Sequence, residues 1–286
     1  MTAGEFEDRD ELDVKIDDLR AILLELGRVV VAFSGGADSA LLAAVCNEVL
    51  GPERSLCVTA VSPSLAGAEE IDCRSLATEW GLSWRSVSTD EMERAAYRAN
   101  DVDRCYHCKA ELMDVLVPLA EPGTTIVLGV NVDDLSDHRP GQRAALERGA
   151  VFPFVLAGLD KTEIREASRR MGLRTWDKPA AACLASRVPY GTPVSVEILS
   201  RVDRAEAAVR ALGFRQVRVR HHGESARLEV DESELARAVV VRHRIVEALK
   251  SAGYRWVTLD LEGFRSGSLN PTVGRSTGSS PDQPHS

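Results

Sequence analysis

One stretch constrains the fold more than any other. Arg28–Phe33 (RVVVAF) is a short β-branched run that passes directly into Ser34-Gly35-Gly36-Ala37-Asp38-Ser39 and then into the apolar helical stretch ALLAAVCNEVL. A strand, a glycine turn and a helix in that order aim backbone N–H groups and the positive helix end at one point, which suits an anion. Gly35 and Gly36 permit a close approach that a Cβ would block. The Ser34 and Ser39 hydroxyls are donors for phosphate oxygens, and Asp38 is placed to orient magnesium or a nucleotide. No GK[ST] ending follows, so this is not the loop that cradles a transferable γ-phosphate. The bland alternative is a serine–glycine turn that merely caps a helix.

The rest of the first half alternates in the same way. Apolar residues at helical spacing over Glu11–Leu26 predict a helix before the first strand, and further strands are expected at Ser55–Val61, Ser83–Ser88 and Thr124–Val130. Helical stretches near 37–50, 67–80 and 104–119 separate them. This pattern implies right-handed βαβ crossovers and an α/β fold with a doubly wound parallel sheet, its ligand beyond the carboxyl ends of the strands. A helix near 161–171 precedes Thr175–Pro193, whose prolines and glycine argue for an ordered loop. Beyond it, helices at 196–212 and 233–252 and strands at 216–221, 226–230 and 255–259 suggest a smaller C-terminal α+β domain. The expected division is a nucleotide domain over 1–180, a substrate-binding or oligomerisation domain over 181–270, and a disordered tail over 271–286.

Composition narrows the chemistry. The 286 residues carry 35 basic and 44 acidic side chains, a formal charge of −9, which disfavours nucleic acid as a partner. There is no apolar run of membrane-span length, and the acidic start MTAGEFEDRDELD does not resemble a targeting signal, so no membrane partner and a cytoplasmic location are expected. Six cysteines in such a chain are either fillers or chemical equipment. Cys46, Cys57 and Cys73 sit among apolar neighbours and read as small hydrophobes. Cys105 and Cys108, at i and i+3, share a face of a predicted helix, and Cys183 lies in the Pro-rich loop. The functional reading brings these three to the nucleotide cleft to hold a metal cluster or carry sulfur. Buried filler, a thioredoxin-like pair and a structural zinc site remain alternatives. Three cysteines would leave one iron of a 4Fe–4S cluster open to hydrosulfide.

The SGGADS turn matches SGGxDS, the PP-loop signature of enzymes that cleave ATP between its α- and β-phosphates. Together with RCYHCKAEL (104–112), GVNVDDLSDHRPG (129–141), KPAAACLASRVPYG (178–191), VRVRHHGESARLEV (217–230) and LEGFRSGSLN (261–270), it resembles the LarE family over residues 10 to 270. Those are ATP-dependent sulfur transferases of nickel-pincer cofactor biosynthesis. The resemblance implies ATP and Mg2+ as cofactors and a small pyridinium dicarboxylate mononucleotide as substrate, adenylated and then sulfurated. It also implies a homo-oligomer, trimer or hexamer, fed by a sulfide or persulfide source. In one family branch the loop cysteine, here Cys183, gives up its own sulfur. In the other, cysteines at the positions of Cys105, Cys108 and Cys183 bind a 4Fe–4S cluster, the branch this chain resembles. Arg187, Arg218, Arg220 and Arg265 are expected to hold the substrate phosphate, and Glu206 and Glu229 match positions that can hold a metal ion. Asn131 and Asp133 suit nucleotide contact, while Asp134 and Asp137 suit turn capping. The competing functions are a PP-loop tRNA thiolase, an amidating synthetase of the NAD or GMP kind, and an idle nucleotide-binding or cluster-sensing protein.

Overall fold

The computed structural model of the chain describes residues 10–136, 140–179 and 182–265. Asp137 and the tail from 271 onward, for which capping and disorder are expected, lie outside these residues. In the first half, α1 (Glu11–Leu26), β1 (Val29–Ala32), α2 (Ala37–Leu50), β2 (Ser55–Val61), α3 (Gly67–Glu79) and β3 (Ser83–Ser88) alternate as expected. The short α4 (Ala95–Arg98), α5 (Arg104–Leu116), β4 (Thr125–Val127), α6 (Pro140–Leu146), α7 (Pro153–Leu156) and α8 (Lys161–Arg170) follow. All pairings are parallel and the strand order is β3-β2-β1-β4. The order therefore reverses between β1 and β4, and the crevice beyond their carboxyl ends is where such sheets bind ligands.

The central strand β1 is buried on both faces, as strands inside parallel sheets are. Val29, Val31 and Phe33 pack with α1, α2 and α8 through Leu19, Leu41 and Ile164. Val30, between them, faces Met113 and Leu116 of α5 on the other side. Each fully buried aliphatic chain contributes about 1.5–3 kcal/mol, so this two-sided core holds the cleft rigidly. Cys46, Cys57 and Cys73 are buried here, and burial pushes the Cys57 and Cys73 thiols up to about 12 and about 11. They are inert fillers, as their neighbours in the sequence indicate.

After the loop come α9 (Val196–Arg210), β5 (Val217–His222), β6 (Ser225–Val230), α10 (Leu235–Val240), α11 (Arg242–Ser251) and β7 (Trp256–Leu259). They form a second, mixed sheet: β5 and β6 are antiparallel, β6 and β7 parallel. Its core, which includes Val209, Val219, Leu228 and Leu249, is separate from the first. The single helix expected over 233–252 is instead broken at Val241, whose ψ of 16° departs from helical geometry. Leu184, Val188 and Val194 of the Pro-rich loop are buried against Tyr97 and Leu199, so that loop is packed structure in its own right.

Candidate active site

The crevice beyond β1 and β4 is lined by Ser34, Gly36, Asp38 and Ser39 of the turn, with Lys109 of α5 and Gly129 opposite. Gly35 adopts φ +67°, and a Cβ there would lie 2.9 Å from the Cys73 Sγ. Gly129 is equally constrained, since its Cβ would meet the Asp38 carbonyl carbon and the Ser39 nitrogen at 3.0 Å. Both glycines are therefore fixed by close approach. The Ser34 N–H donates to Ser39 Oγ at 3.2 Å, and Ser39 Oγ donates to the Gly36 carbonyl at 3.2 Å. These bonds close the turn around the start of α2.

Asp38 is held from two sides. Lys161, at the start of α8, forms an ion pair with it, and Asn131 Nδ2 donates to its Oδ1 at 3.2 Å. Asp133 accepts from the Lys161 backbone N–H at 2.9 Å, and Asp134 caps the turn by exchanging hydrogen bonds with Asn131 at 3.2 Å. Ser34, Gly36, Asp38 and Ser39 thus line one crevice, with Asn131 hydrogen-bonded to Asp38 and Asp133 to the start of α8. Lys109, Lys161 and Lys178 are not singled out by sequence reasoning. Lys109 and Lys178 lie inside the motifs RCYHCKAEL and KPAAACLASRVPYG, and Lys161 opens a helix whose capping box, Asp160 with Glu163, is a readable signal.

The thiols lie along α5 from this crevice, because Cys105 and Cys108 share the helix with Lys109. Cys105 is exposed; Cys108 and Cys183 are half-buried and pack on the cluster that holds Tyr97 and Leu184. Burial, with Cys183 and Glu91 nearby, pushes the Cys108 thiol up to about 12, so it is protonated at neutral pH. The loop is seated by two buried polar side chains. Asn100 Nδ2 donates to the carbonyls of Pro189 and Thr192, each at 2.8 Å, and Arg104 donates to the Ala185 carbonyl at 2.9 Å. Thiolates are the donors that iron–sulfur clusters take, but among the described residues no group of three or more His, Cys, Asp or Glu is arranged to hold a metal ion. The donor set is that of a 4Fe–4S cluster with one open iron, and Cys183 and Cys105 both lie near enough to Cys108 to add to the burial that pushes its thiol up.

The loop's far end meets the second sheet. Arg187, 2% exposed, forms two hydrogen bonds to Glu206, at 2.7 and 3.0 Å, and donates to the carbonyls of Ala182 at 2.6 Å and Cys183 at 3.0 Å. Arg210 and the Val219 N–H also donate to Glu206. Arg220 pairs with Glu229 at 2.9 and 2.7 Å and donates to the Ser186 carbonyl, while Arg227 adds to Glu229. Burial opposes ionisation of Glu206, yet Arg187 and Arg210 hold its carboxyl below the ordinary value. Burial and the neighbouring Arg187 lower Arg218 to about 10, which leaves it cationic at neutral pH.

Arg187, Arg218 and Arg220 are therefore brought together under the cysteine loop, with Arg210 and Arg227 at the edge. Glu206 and Glu229, for which the resemblance implies a metal role, are each engaged by two arginines. Arg265 is not gathered with them; it is exposed and pairs with Glu262, although its neighbour Phe264 lies under the Arg218 guanidinium at 5.2 Å.

A glycine turn and helix N-terminus at the reversal point of a parallel sheet define a nucleotide-binding class of α/β protein, and the family model for NAD synthase, a PP-loop family, matches residues 15–112. Further relatives match nearly the whole chain. It is 37% identical over 264 residues, 92% of this chain and 96% of that protein, to the pyridinium-3,5-bisthiocarboxylic acid mononucleotide synthase of Lactiplantibacillus plantarum. The chain belongs to that family, the LarE family. It is also 45% identical over 263 residues, 91% of this chain and 98% of that protein, to an uncharacterized protein of Synechocystis. A more distant likeness, 28% over 62% of this chain and 63% of that protein, is to a component of the glutamine-hydrolyzing GMP synthase of Thermoplasma acidophilum. Among the described residues no helix is long and apolar enough to cross a membrane.

Proposed function

We propose that the chain is an ATP-dependent sulfur transferase that adenylates the carboxylates of a pyridinium-3,5-dicarboxylate mononucleotide and converts them to thiocarboxylates. The observation that carries this reading is that one helix, α5, joins the phosphate-binding crevice to the thiols: Lys109 lines the crevice and Cys105 and Cys108 lie beside it. A carboxylate is a poor electrophile until its oxygen becomes a leaving group. In the first step a substrate carboxylate oxygen attacks the ATP α-phosphorus, and the bond to the β-phosphate bridging oxygen breaks. The departing pyrophosphate is stabilised by the free N–H groups of the turn, the positive end of α2 and the Lys109 and Lys161 ammonium groups. Asp38 is the residue that would hold a magnesium ion, which supplies further charge neutralisation for pyrophosphate.

In the second step a sulfur nucleophile attacks the acyl carbon and AMP leaves. If that sulfur is the Cys183 thiolate, a thioester forms. Loss of the Cα proton and cleavage of the Cβ–S bond then releases the thiocarboxylate and leaves dehydroalanine at position 183. If it is hydrosulfide, supplied as sulfide or released from a persulfide by a second thiol that is oxidised to a disulfide, Cys183 survives and the protein turns over. A 4Fe–4S cluster on Cys105, Cys108 and Cys183 would serve the second route, and no step here depends on it. The Arg187, Arg218 and Arg220 group supplies fixed positive charge for the substrate phosphate beside the loop that carries Cys183. Mass spectrometry of products from ATP and the pyridinium dicarboxylate mononucleotide tests the reading: a thiocarboxylate with AMP and pyrophosphate is expected, and their absence removes it.

A further inference from the structure

Lys178 stands five residues before Cys183, and its side chain turns back to the phosphate turn. Its Nζ donates to the Gly35 carbonyl at 3.1 Å, to Glu69 at 2.8 Å and to Asp72 at 2.6 Å. An ammonium has three donors and no acceptor, so all three are committed to protein atoms. The amine thus acts on the turn and is not itself a phosphate ligand.

The effect on the turn follows from peptide geometry. In a trans peptide the carbonyl of one residue and the N–H of the next point in opposite directions. Holding the Gly35 carbonyl toward Lys178 therefore aims the Gly36 N–H the other way. Gly36 lines the crevice and Gly35 does not, and the Gly36 N–H has no acceptor among the described residues. This peptide lies between two glycines, so no Cβ on either side resists its rotation. The Lys178 bond supplies the restraint that side chains there do not.

The lysine is itself braced. Arg165 of α8 donates to the carbonyls of Trp176 at 2.9 Å and Lys178 at 3.0 Å. One turn earlier on the same helix, Lys161 pairs with Asp38. The circuit from Gly35 through Lys178, Arg165 and Lys161 to Asp38 closes on both ends of the turn.

We propose that Lys178 is a positioning residue for ATP cleavage: it fixes the Gly35–Gly36 peptide so that the Gly36 N–H faces the phosphate whose charge develops as pyrophosphate departs. This inference rests on the adenylating activity proposed above. A donor aimed at developing charge acts mainly on kcat, and losing one costs about 100-fold or more.

The test compares wild type with Lys178→Met and Lys178→Arg, reading pyrophosphate release from ATP and the pyridinium dicarboxylate mononucleotide, melting temperature, and the Gly36 amide resonance in protein labelled with 15N-glycine. The resonance is assigned with Gly36→Ala and followed on addition of inorganic pyrophosphate. Lys178→Met is expected to lose about 100-fold in kcat with KM for ATP little changed and the pyrophosphate-induced Gly36 shift abolished. Lys178→Arg, which keeps a cation between the acidic pair and the carbonyl, is expected to restore much of both. Wild-type kcat in Lys178→Met overturns the inference. So does a loss that only tracks melting temperature while the Gly36 shift persists. If wild type releases no pyrophosphate, the proposed activity fails, and the Gly36 shift still decides the role of Lys178.

Discussion

The phosphate crevice and the arginine group under the cysteine loop both gather positive potential, by opposite means. The crevice uses backbone N–H groups, a helix end and glycines held in place by close contacts, with its lysines near the rim. The second site buries guanidinium groups and compensates them with two fully buried carboxylates, Glu206 and Glu229. The first is prepared by local chain geometry and costs little desolvation. The second depends on groups far apart in the chain, and breaking one such pair strands an uncompensated buried charge. Damage should therefore separate: chemistry lost with the fold intact at the crevice, the fold weakened at the arginines.

The sharpest probe of that contrast is Cys183→Ala assayed without a sulfide or persulfide source, which should reduce thiocarboxylate formation below detection while ATP-dependent pyrophosphate release continues. Loss of both would show that the two ends are not separable. Next, Gly35→Ala forces a side chain into φ +67° and against Cys73 Sγ. It should lower adenylation about 100-fold at a stability cost of about 1–3 kcal/mol, read by product assay and denaturant melts. Adding Cys73→Ala should relieve the contact but not the backbone strain, so only part of the loss should return.

At the other site, Glu206→Ala is expected to cost about 3–5 kcal/mol in a denaturant titration, and a cost within experimental error would break the comparison. The smallest effect concerns acid stability. The folded carboxyl of Glu206 lies below its ordinary value of 4.5, so its contribution is fully present above 4.5 and is lost as pH falls through the lower, folded value. Glu206→Gln should flatten that acid limb of a melting-temperature profile and leave the neutral side level.

The same contrast explains what can be read from the sequence. The first sheet, its strands and the phosphate turn are legible because RVVVAF-SGGADS encodes strand, turn and helix within a dozen neighbouring residues. Arg218 and Arg220 are legible as a pair because they alternate on β5. Their carboxylate partners are not: Glu206 meets Arg187 across 19 residues, and nothing local distinguishes a carboxylate engaged by arginine from one free to bind a metal. Lys161 and Lys178 escape notice for the same reason, since they meet the turn across 123 and 143 residues. The break of the 233–252 helix at Val241 carries no glycine or proline to announce it.

The grip of Arg187 on the cysteine loop bears on the fate of the sulfur. Arg187 takes hold of residue 183 by its main-chain carbonyl, not by its side chain. Every amino acid presents that oxygen, and a residue stripped of its sulfur presents it too. The loop is thus moored at a point that the chemistry leaves untouched, and the tip can be consumed, alkylated or replaced without casting the strap loose.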